Sequence, residues 1–160
     1  MSTPTLRLMR AKLHRVVVTH ARQHYIGSIT VDAALMELVG LLPLEEVDVV
    51  NVDNGQRWST YVLPGERGSG TVAPNGGGAL LCEPGQRLII FAYAERSLDE
   101  LRTQGHSAHV LVADAHNGVQ QLMKQALVPG PDGFTFRSDD PVVDADFCPE
   151  LRLRSIPELG

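Results

Sequence analysis

Apolar and polar residues alternate along several short segments of the chain, and this pattern predicts strands more often than helices. Residues 47–52 (VDVVNV) alternate as a half-buried strand does, and Asp53-Asn54-Gly55 then favours a hairpin turn because Asn and Gly tolerate positive φ. The returning strand is predicted at residues 57–63. Other β-branched or apolar segments predict strands at residues 12–19, 25–31, 71–73, 87–93 and 108–113. Short strands joined by Gly/Pro turns indicate a mainly β protein, closed into a small barrel.

Helical patterns are few and short. Asp32 is placed to cap a helix that carries apolar residues at helical spacing and ends at Gly40. Residues 97–102 (SLDELR) predict one or two further helical turns. These short helices do not change the mainly β prediction.

The character of the chain changes near residue 117. Residues 119–128 predict an amphipathic helix, and residues 129–160 are rich in Pro and Asp with few apolar runs. We therefore predict a barrel over residues 1–117 and an extension over residues 118–160, with a short helix followed by a loosely ordered tail. Such a tail should be dispensable for folding, because it would bury little apolar area.

Composition narrows the classes of function. With 160 residues, 43% of them hydrophobic, the chain is long enough for one domain with a core. A net charge of −5 without a basic cluster argues against nucleic acid as a partner. No apolar segment predicts a membrane span or a signal peptide, and two cysteines make no disulfide framework. We therefore expect a cytoplasmic protein that does not bind membranes.

The Gly27-Ser28 bond can carry unusual chemistry. A serine hydroxyl can attack the carbonyl of the preceding residue and form an ester, if strain in the bond and donors for the oxyanion assist it. Glycine before the serine helps because it adopts backbone dihedrals that other residues do not. Gly-Ser pairs are common in turns, however, and Gly68-Ser69 is a second one in this chain. The dipeptide alone therefore does not decide the function.

Longer motifs surround this dipeptide and strengthen the prediction. They follow one another in the order Met9-x-x-Lys12-x-His14-Arg15, Val18-Thr19-His20-Ala21, His24-Tyr25-x-Gly27-Ser28, Asn51-Val52-x-Asn54-Gly55-x-Arg57-x-Ser59-Thr60-Tyr61, Glu66-Arg67-Gly68-Ser69 and Asn75-Gly76. In order and spacing they resemble the pyruvoyl-dependent aspartate 1-decarboxylase family. The resemblance covers about residues 6–117.

The resemblance implies a fold, a cofactor and a reaction. In that family the bond before the serine breaks itself, so that Ser28 would become a covalent pyruvoyl group. The implied enzyme is a homotetramer of double-psi β-barrels with active sites between subunits. Its substrate is L-aspartate, which loses its α-carboxyl group as CO₂ to give β-alanine for pantothenate synthesis.

The resemblance also assigns roles in processing and catalysis. Gly27, Ser28, Thr60 and Asn75 take part in self-cleavage, and Ser28 then carries the catalytic group. Tyr61 donates the proton that returns to the substrate carbon, a role for which a phenol at close range is suited.

A further set of residues is matched to substrate binding. Arg57 provides a planar fork for a carboxylate and Lys12 a compact cation. The remaining contacts are the hydroxyl of Thr60, the backbone N–H groups of Gly76, Gly77 and Gly78, and the pocket-lining side chains of His14 and Tyr25. The family commonly has Asn-Gly-Ala-Ala where this chain has Asn75-Gly76-Gly77-Gly78. The departure affects the order of this loop, since glycine has more conformational entropy to lose.

Several alternatives stay open at this point. The triple glycine and the long extension favour a variant that decarboxylates another acidic amino acid or serves a specialised pathway. A barrel that stays uncleaved could instead be a scaffold without catalytic activity. The sequence does not decide whether cleavage is spontaneous or needs a maturation factor.

Two other kinds of site are disfavoured. His14, His20 and His24 lie close in sequence, but their spacing fits no usual zinc signature, so no metal is predicted. The Gly-rich residues 65–78 lack the Lys-Ser/Thr ending of a phosphate-binding loop.

Overall fold

The computed structural model describes residues 3–139 and 150–154, whose strands form one 10-stranded sheet. The elements in chain order are β1 (Thr5–Val17), β2 (Ser28–Asp32), α1 (Ala33–Val39), β3 (Glu46–Asn51), β4 (Arg57–Gly65), β5 (Val72–Asn75), a 3₁₀ helix (Gly76–Leu81), β6 (Arg87–Ser97), α2 (Leu98–Gln104), β7 (His106–Ala113), β8 (Val119–Gly130), β9 (Gly133–Ser138) and β10 (Glu150–Arg154).

The mainly β fold with short helices is confirmed. Hydrogen-bonded neighbours follow the order β10-β9-β8-β7-β1-β6-β3-β4-β2-β5. The pairs β1–β7 and β2–β4 are parallel, and the other pairs are antiparallel. The sheet is barrel-like but not closed, because β10 and β5 are edge strands within the described residues.

The main core lies on one side of the strands, as period-2 alternation requires. Leu13 on β1, Val49 on β3 and Ile90 on β6 are fully buried, whereas the residues next to them are only half-buried. The predicted helix at Asp32 is confirmed as α1. Its first turn is capped by the Asp32 carboxylate, which accepts a hydrogen bond from Ala34 N at 2.8 Å.

The predicted helix over residues 119–128 is wrong, because this segment is strand β8. β8 pairs antiparallel with β7 from His106↔Leu127 to Ala113↔Val119. Of its side chains only Met123 is buried. The edge of β7 offers backbone N–H and C=O groups that need partners. Hydrogen bonds to these groups hold β8 in the sheet, although β8 buries little apolar surface.

The prediction of a loosely ordered tail is also wrong for the described part of residues 129–160. Gly133–Ser138 forms β9 on β8, and Glu150–Arg154 forms β10 on β9. Phe134 is buried against Leu98 and Leu101 of α2, where it completes a small second core. Residues 140–149 and 155–160, with Phe147, lie outside the described residues.

Candidate active site

Ser28 lies where an exposed loop enters the sheet. The predicted strand at residues 25–31 begins only at Ser28, and Tyr25, Ile26 and Gly27 are exposed. Ser28 itself is 2% exposed, as the first residue of β2. The Gly27–Ser28 peptide bond therefore joins an accessible segment to a rigid one.

The Ser28 hydroxyl is held by the side chain of Asn75. β2 and β5 are antiparallel with Ser28 opposite Asn75, and Asn75 Nδ2 donates to Ser28 Oγ at 3.1 Å. The same amide nitrogen donates to Thr30 Oγ1 at 3.1 Å. Ser28 Oγ in turn donates to the carbonyl oxygen of Ile26 at 3.4 Å. The two hydroxyls and the amide form one buried polar cluster, which we call the Ser28 cluster.

Backbone contacts fix the loop that precedes Ser28. Arg22 N donates to Pro74 O at 3.1 Å, and Gly76 N donates to Arg22 O at 2.9 Å. Gly76 has a φ of +66°, and a Cβ added there would lie 2.7 Å from Gly27 Cα. Only glycine fits such a close approach in this backbone conformation. Asn75 and Gly76 thus contact Ser28 and Gly27, the two residues of the bond predicted to break.

β4 places Tyr61 beside the Ser28 cluster. β2 and β4 are parallel with Ile29 opposite Val62, so the register extended by one residue sets Tyr61 next to Ser28. Thr60 faces the other side of the sheet by alternation, and it is half-buried. Within the described residues, Ser28 Oγ forms hydrogen bonds with Asn75 and Ile26 and none with Thr60.

Within one chain, Lys12 and His14 on β1 lie apart from Arg57 on β4. Paired positions run across four strands as His14↔Ile89, Ile89↔Val50 and Val50↔Arg57. Three strand spacings correspond to about 14 Å between the backbones of His14 and Arg57. Both side chains share one face of the sheet, but a single chain does not bring them into contact.

Lys12 and His14 instead line an open groove of about 760 Å³ beside β7 and β8, together with Arg15, Arg87 and Asp114. Burial lowers the pKa of Lys12 below its ordinary value. Burial, and then the charges of Lys12 and Arg15, lower the pKa of His14. His14 Nδ1 is buried without a partner in the described part of the chain. The groove therefore places the His14 imidazole beside the cationic side chains of Lys12, Arg15 and Arg87, with one carboxylate, Asp114.

Comparison with known proteins decides the family. A family model for aspartate decarboxylase matches residues 5–120. The chain belongs to the aspartate decarboxylase family. A relative named aspartate 1-decarboxylase from Gloeothece citriformis is 56% identical over 141 residues, which cover 87% of this chain and 90% of the relative.

Two other relatives with the same name cover less of the chain. The one from Microcystis aeruginosa is 59% identical over 129 residues, or 81% of this chain and 91% of the relative. The one from a Geobacillus species is 43% identical over 116 residues, or 72% of this chain and 90% of the relative. A match over 87% of the chain extends beyond residue 117, so part of the extension is shared with a family member.

Sequence reasoning missed one residue of this decarboxylase-family site. Thr30 shares the Asn75 amide with Ser28, and it lies two positions after Ser28 on the same strand face. The period of a strand could have indicated it, because residues i and i+2 point to the same side. The partner that joins the two hydroxyls lies 45 residues away and is visible only in the fold.

The glycines after Asn75 form an ordered element rather than an open loop. Gly76, Gly77 and Gly78 begin the 3₁₀ helix Gly76–Leu81. Gly77 is exposed with no atom within 4 Å of an added Cβ, whereas Gly78 is half-buried beside Trp58. The structure thus gives the two glycines that depart from the family pattern different surroundings.

Within residues 3–139 and 150–154, no group of three or more His, Cys, Asp or Glu side chains is arranged to hold a metal ion. None of the helices in these ranges has the length and apolar composition needed to cross a membrane.

Proposed function

We propose that this protein is a self-processing aspartate 1-decarboxylase, which converts L-aspartate to β-alanine and CO₂ with a pyruvoyl group made from Ser28. The hydrogen bond from Asn75 Nδ2 to Ser28 Oγ carries the proposal, because it holds the buried hydroxyl of the residue that directly follows Gly27. Family membership supports the same reaction. A pyruvoyl group at this position would supply a carbonyl that withdraws electrons while CO₂ leaves.

The proposed cleavage uses the Ser28 cluster. Ser28 Oγ attacks the carbonyl carbon of Gly27, and the peptide C–N bond gives way to an ester. Elimination of the ester leaves a carboxylate on Gly27 and a dehydroalanine at position 28. Water then replaces the dehydroalanine nitrogen, which leaves as ammonia. Asn75 orients the hydroxyl, and Gly76 permits the close approach of the loop. The family motif alone assigns the Thr60 hydroxyl to cleavage.

Substrate binding in this proposal rests on the two unpaired cations. Within the described residues neither Lys12 nor Arg57 forms an ion pair, so both are available to a dicarboxylate. The backbone N–H groups of Gly76, Gly77 and Gly78 and the Thr60 hydroxyl complete the substrate contacts, and His14 and Tyr25 line the pocket. Tyr61, next to Ser28 in register, returns the proton to the substrate carbon.

Assembly into a homotetramer would join the two parts of the site. Within one chain, Lys12 on β1 and Arg57 on β4 are separated by strands β6 and β3. The sheet face between them carries the half-buried side chains of Val50, Ile89 and Phe91, which a neighbouring subunit could cover. We propose that residues 1–117 form the decarboxylase unit, that residues 118–160 form an extension, and that the enzyme acts in the cytoplasm for pantothenate synthesis.

Intact mass and substrate assays test the proposal. The purified protein should give two fragments divided after Gly27, with the larger fragment lacking a free amino terminus. A mass that stays intact on warm incubation, and is cleaved only when cell extract is added, would indicate a maturation factor. A chain that is never cleaved and releases no CO₂ would be the scaffold alternative, and the proposal would be wrong.

The substrate is tested on the cleaved protein. Release of CO₂ from L-aspartate should exceed release from L-glutamate by about tenfold or more in kcat/KM, because one methylene displaces the second carboxylate from its cation. A preference for glutamate would refute aspartate as the substrate while leaving the pyruvoyl chemistry in place.

A further inference from the structure

Trp58 fills the space in which a side chain at position 78 would lie. A Cβ added to Gly78 would be 2.6 Å from Trp58 Nε1, 3.2 Å from Cε2 and 3.3 Å from Cδ1. Trp58 is half-buried, packs against the main core and is flanked on β4 by Arg57 and Ser59. Since closely packed interiors cannot absorb such an overlap without movement, Trp58 requires glycine at position 78.

The 3₁₀ helix cannot move away from Trp58 without losing hydrogen bonds. At its start, Gly76 N donates to Arg22 O at 2.9 Å. At its end, Leu81 O accepts from Asn51 Nδ2 at 3.1 Å and from Asn54 Nδ2 at 3.0 Å. Both asparagines belong to the β3–β4 hairpin that carries Trp58. The hairpin therefore holds the end of the 3₁₀ helix through Leu81. Trp58 of the same hairpin limits how closely the helix can approach at Gly78.

The contact between Trp58 and Gly78 connects strand β4, which carries Arg57, with the segment that carries Asn75. Trp58 follows Arg57 on β4, and Gly78 lies three residues after Asn75, which holds the Ser28 hydroxyl. We propose that Trp58 is a positioning residue that sets the place of residues 75–78 relative to β4, with Gly78 as its small partner. The inference rests on the proposed function, because the segment it positions is the one assigned to cleavage and substrate binding.

Gly77 provides a matched control one residue away. It is exposed, its φ is not positive, and a Cβ added there would meet no atom within 4 Å. Gly77→Ala and Gly78→Ala add the same methyl group to the same helix. They therefore differ in whether the methyl group meets Trp58.

Fluorescence tests the contact independently of any activity. Trp58 is the only tryptophan in the chain, so the emission reports this ring alone. Gly78→Ala should shift the emission maximum and change acrylamide quenching, and Gly77→Ala should leave both as in the unmodified chain. Both variants are also made in a Ser28→Ala background, so that a difference in cleavage cannot cause the shift. Equal spectra for the two alanine variants would overturn the contact.

The rate of self-cleavage tests the positioning role. Gly78→Ala should slow cleavage by about tenfold or more, since displacement of about 1 Å near reacting atoms has effects of this size. Leu80→Ala, at an exposed position of the same 3₁₀ helix with no assigned role in the site, should stay within about twofold. In a Trp58→Leu background no atom occupies the place of Nε1. There, Gly78→Ala should slow cleavage by less than about twofold relative to Trp58→Leu alone. An equal slowing by Gly78→Ala in both backgrounds would overturn the proposal.

A replacement background and the pattern of results keep the inference and the proposed function separate. If Trp58→Leu does not fold, Trp58→Met serves as the background, because its flexible chain adapts to the space. If the unmodified protein neither cleaves nor decarboxylates, the proposed function fails, and the fluorescence comparison still decides the contact between Trp58 and Gly78. If cleavage is normal and the Gly78→Ala spectra are unchanged, the inference fails while the proposed function stands.

Discussion

The two ends of this sheet are built in different ways. Residues 3–117 contribute the main core, in which side chains such as Leu13, Ile90 and Leu111 are fully buried. In the described part of the extension, residues 118–139 and 150–154, only Met123 and Phe134 are buried apolar side chains. The extension nevertheless forms three strands of the same sheet. Backbone pairing to an existing edge can thus extend a sheet where the sequence has no strong apolar pattern.

The chemistry follows the same division. Every residue assigned to cleavage or substrate binding lies between Lys12 and Gly78, among the strands that share the main core. The extension instead covers α2 and the edge of β7, and its strand β8 also lines the groove that holds Lys12 and His14. We infer that the first region determines activity and that the second contributes to stability. The following predictions test this difference, beginning with the largest effect.

Ser28→Ala should abolish both cleavage and decarboxylation, because no hydroxyl remains to attack the Gly27 carbonyl. Ser69→Ala is the matched control, since Ser69 is the serine of the second Gly-Ser pair and lies on an exposed turn. Denaturing mass spectrometry should show one intact chain for Ser28→Ala and two fragments for Ser69→Ala. Two fragments from Ser28→Ala would mean that another residue performs the cleavage.

Arg57→Ala should lower kcat/KM for L-aspartate by about 100-fold, because the substrate loses a charge-assisted carboxylate contact. Self-cleavage should be unchanged, since Arg57 makes no recorded contact with the Ser28 cluster within the described residues. Arg102→Ala on α2 is the control, and its loose ion pair with Asp99 at 3.9 Å should make the change nearly silent. Unchanged kinetics in Arg57→Ala would remove this residue from the substrate site.

Phe134→Ala should lower the free energy of unfolding by about 3 kcal/mol, the low end for a phenylalanine, because the small cluster with Leu98 and Leu101 can partly relax. Phe136→Ala, at a half-buried position of the same strand, should cost less. Urea unfolding measures both. Cleavage should persist in both variants. If Phe134→Ala leaves unfolding unchanged, the extension is a dispensable tail, as its composition alone predicted.

Asp32→Asn should lower the free energy of unfolding by about 2 kcal/mol near pH 7, because the buried carboxylate accepts hydrogen bonds from three backbone N–H groups. Asp132→Asn is the control, since Asp132 is exposed and, among the residues that the structure describes, pairs only with Arg152 at 3.4 Å. Urea unfolding of both variants measures the difference. Equal stability of the two variants would show that these hydrogen bonds contribute nothing measurable.

The same carboxylate should make the first region sensitive to acid. Burial alone would raise the pKa of Asp32, but hydrogen bonds from Gly70, Gly68 and Ala34 lower it below 3.8 overall. A depressed folded pKa gives stability that is present above the unfolded value and is lost as pH falls through the folded one. The unmodified chain should therefore lose more stability than Asp32→Asn between about pH 5 and about pH 2. Equal losses would contradict the lowered pKa.

Features that depend on neighbouring residues could be predicted from the sequence of this protein. The turn at Asn54-Gly55, the cap at Asp32 and the alternation in β3 follow from backbone preferences and local hydrogen bonds. The family motifs also singled out Ser28 and Asn75 before their contact was visible. The turn, the cap and the strand were predictable because each rests on residues within about one turn or one strand.

Features that depend on distant partners could not be predicted from the sequence and became apparent in the fold. β8 is a strand because β7 offers an edge, and no pattern within β8 carries that information. Thr30 joins the Ser28 cluster through Asn75, and Gly78 is constrained by Trp58 from another element. The separation of Lys12 from Arg57 likewise comes from strand order. In each case the deciding energy is a packing or hydrogen-bond contact between segments that the fold, rather than the chain, makes neighbours.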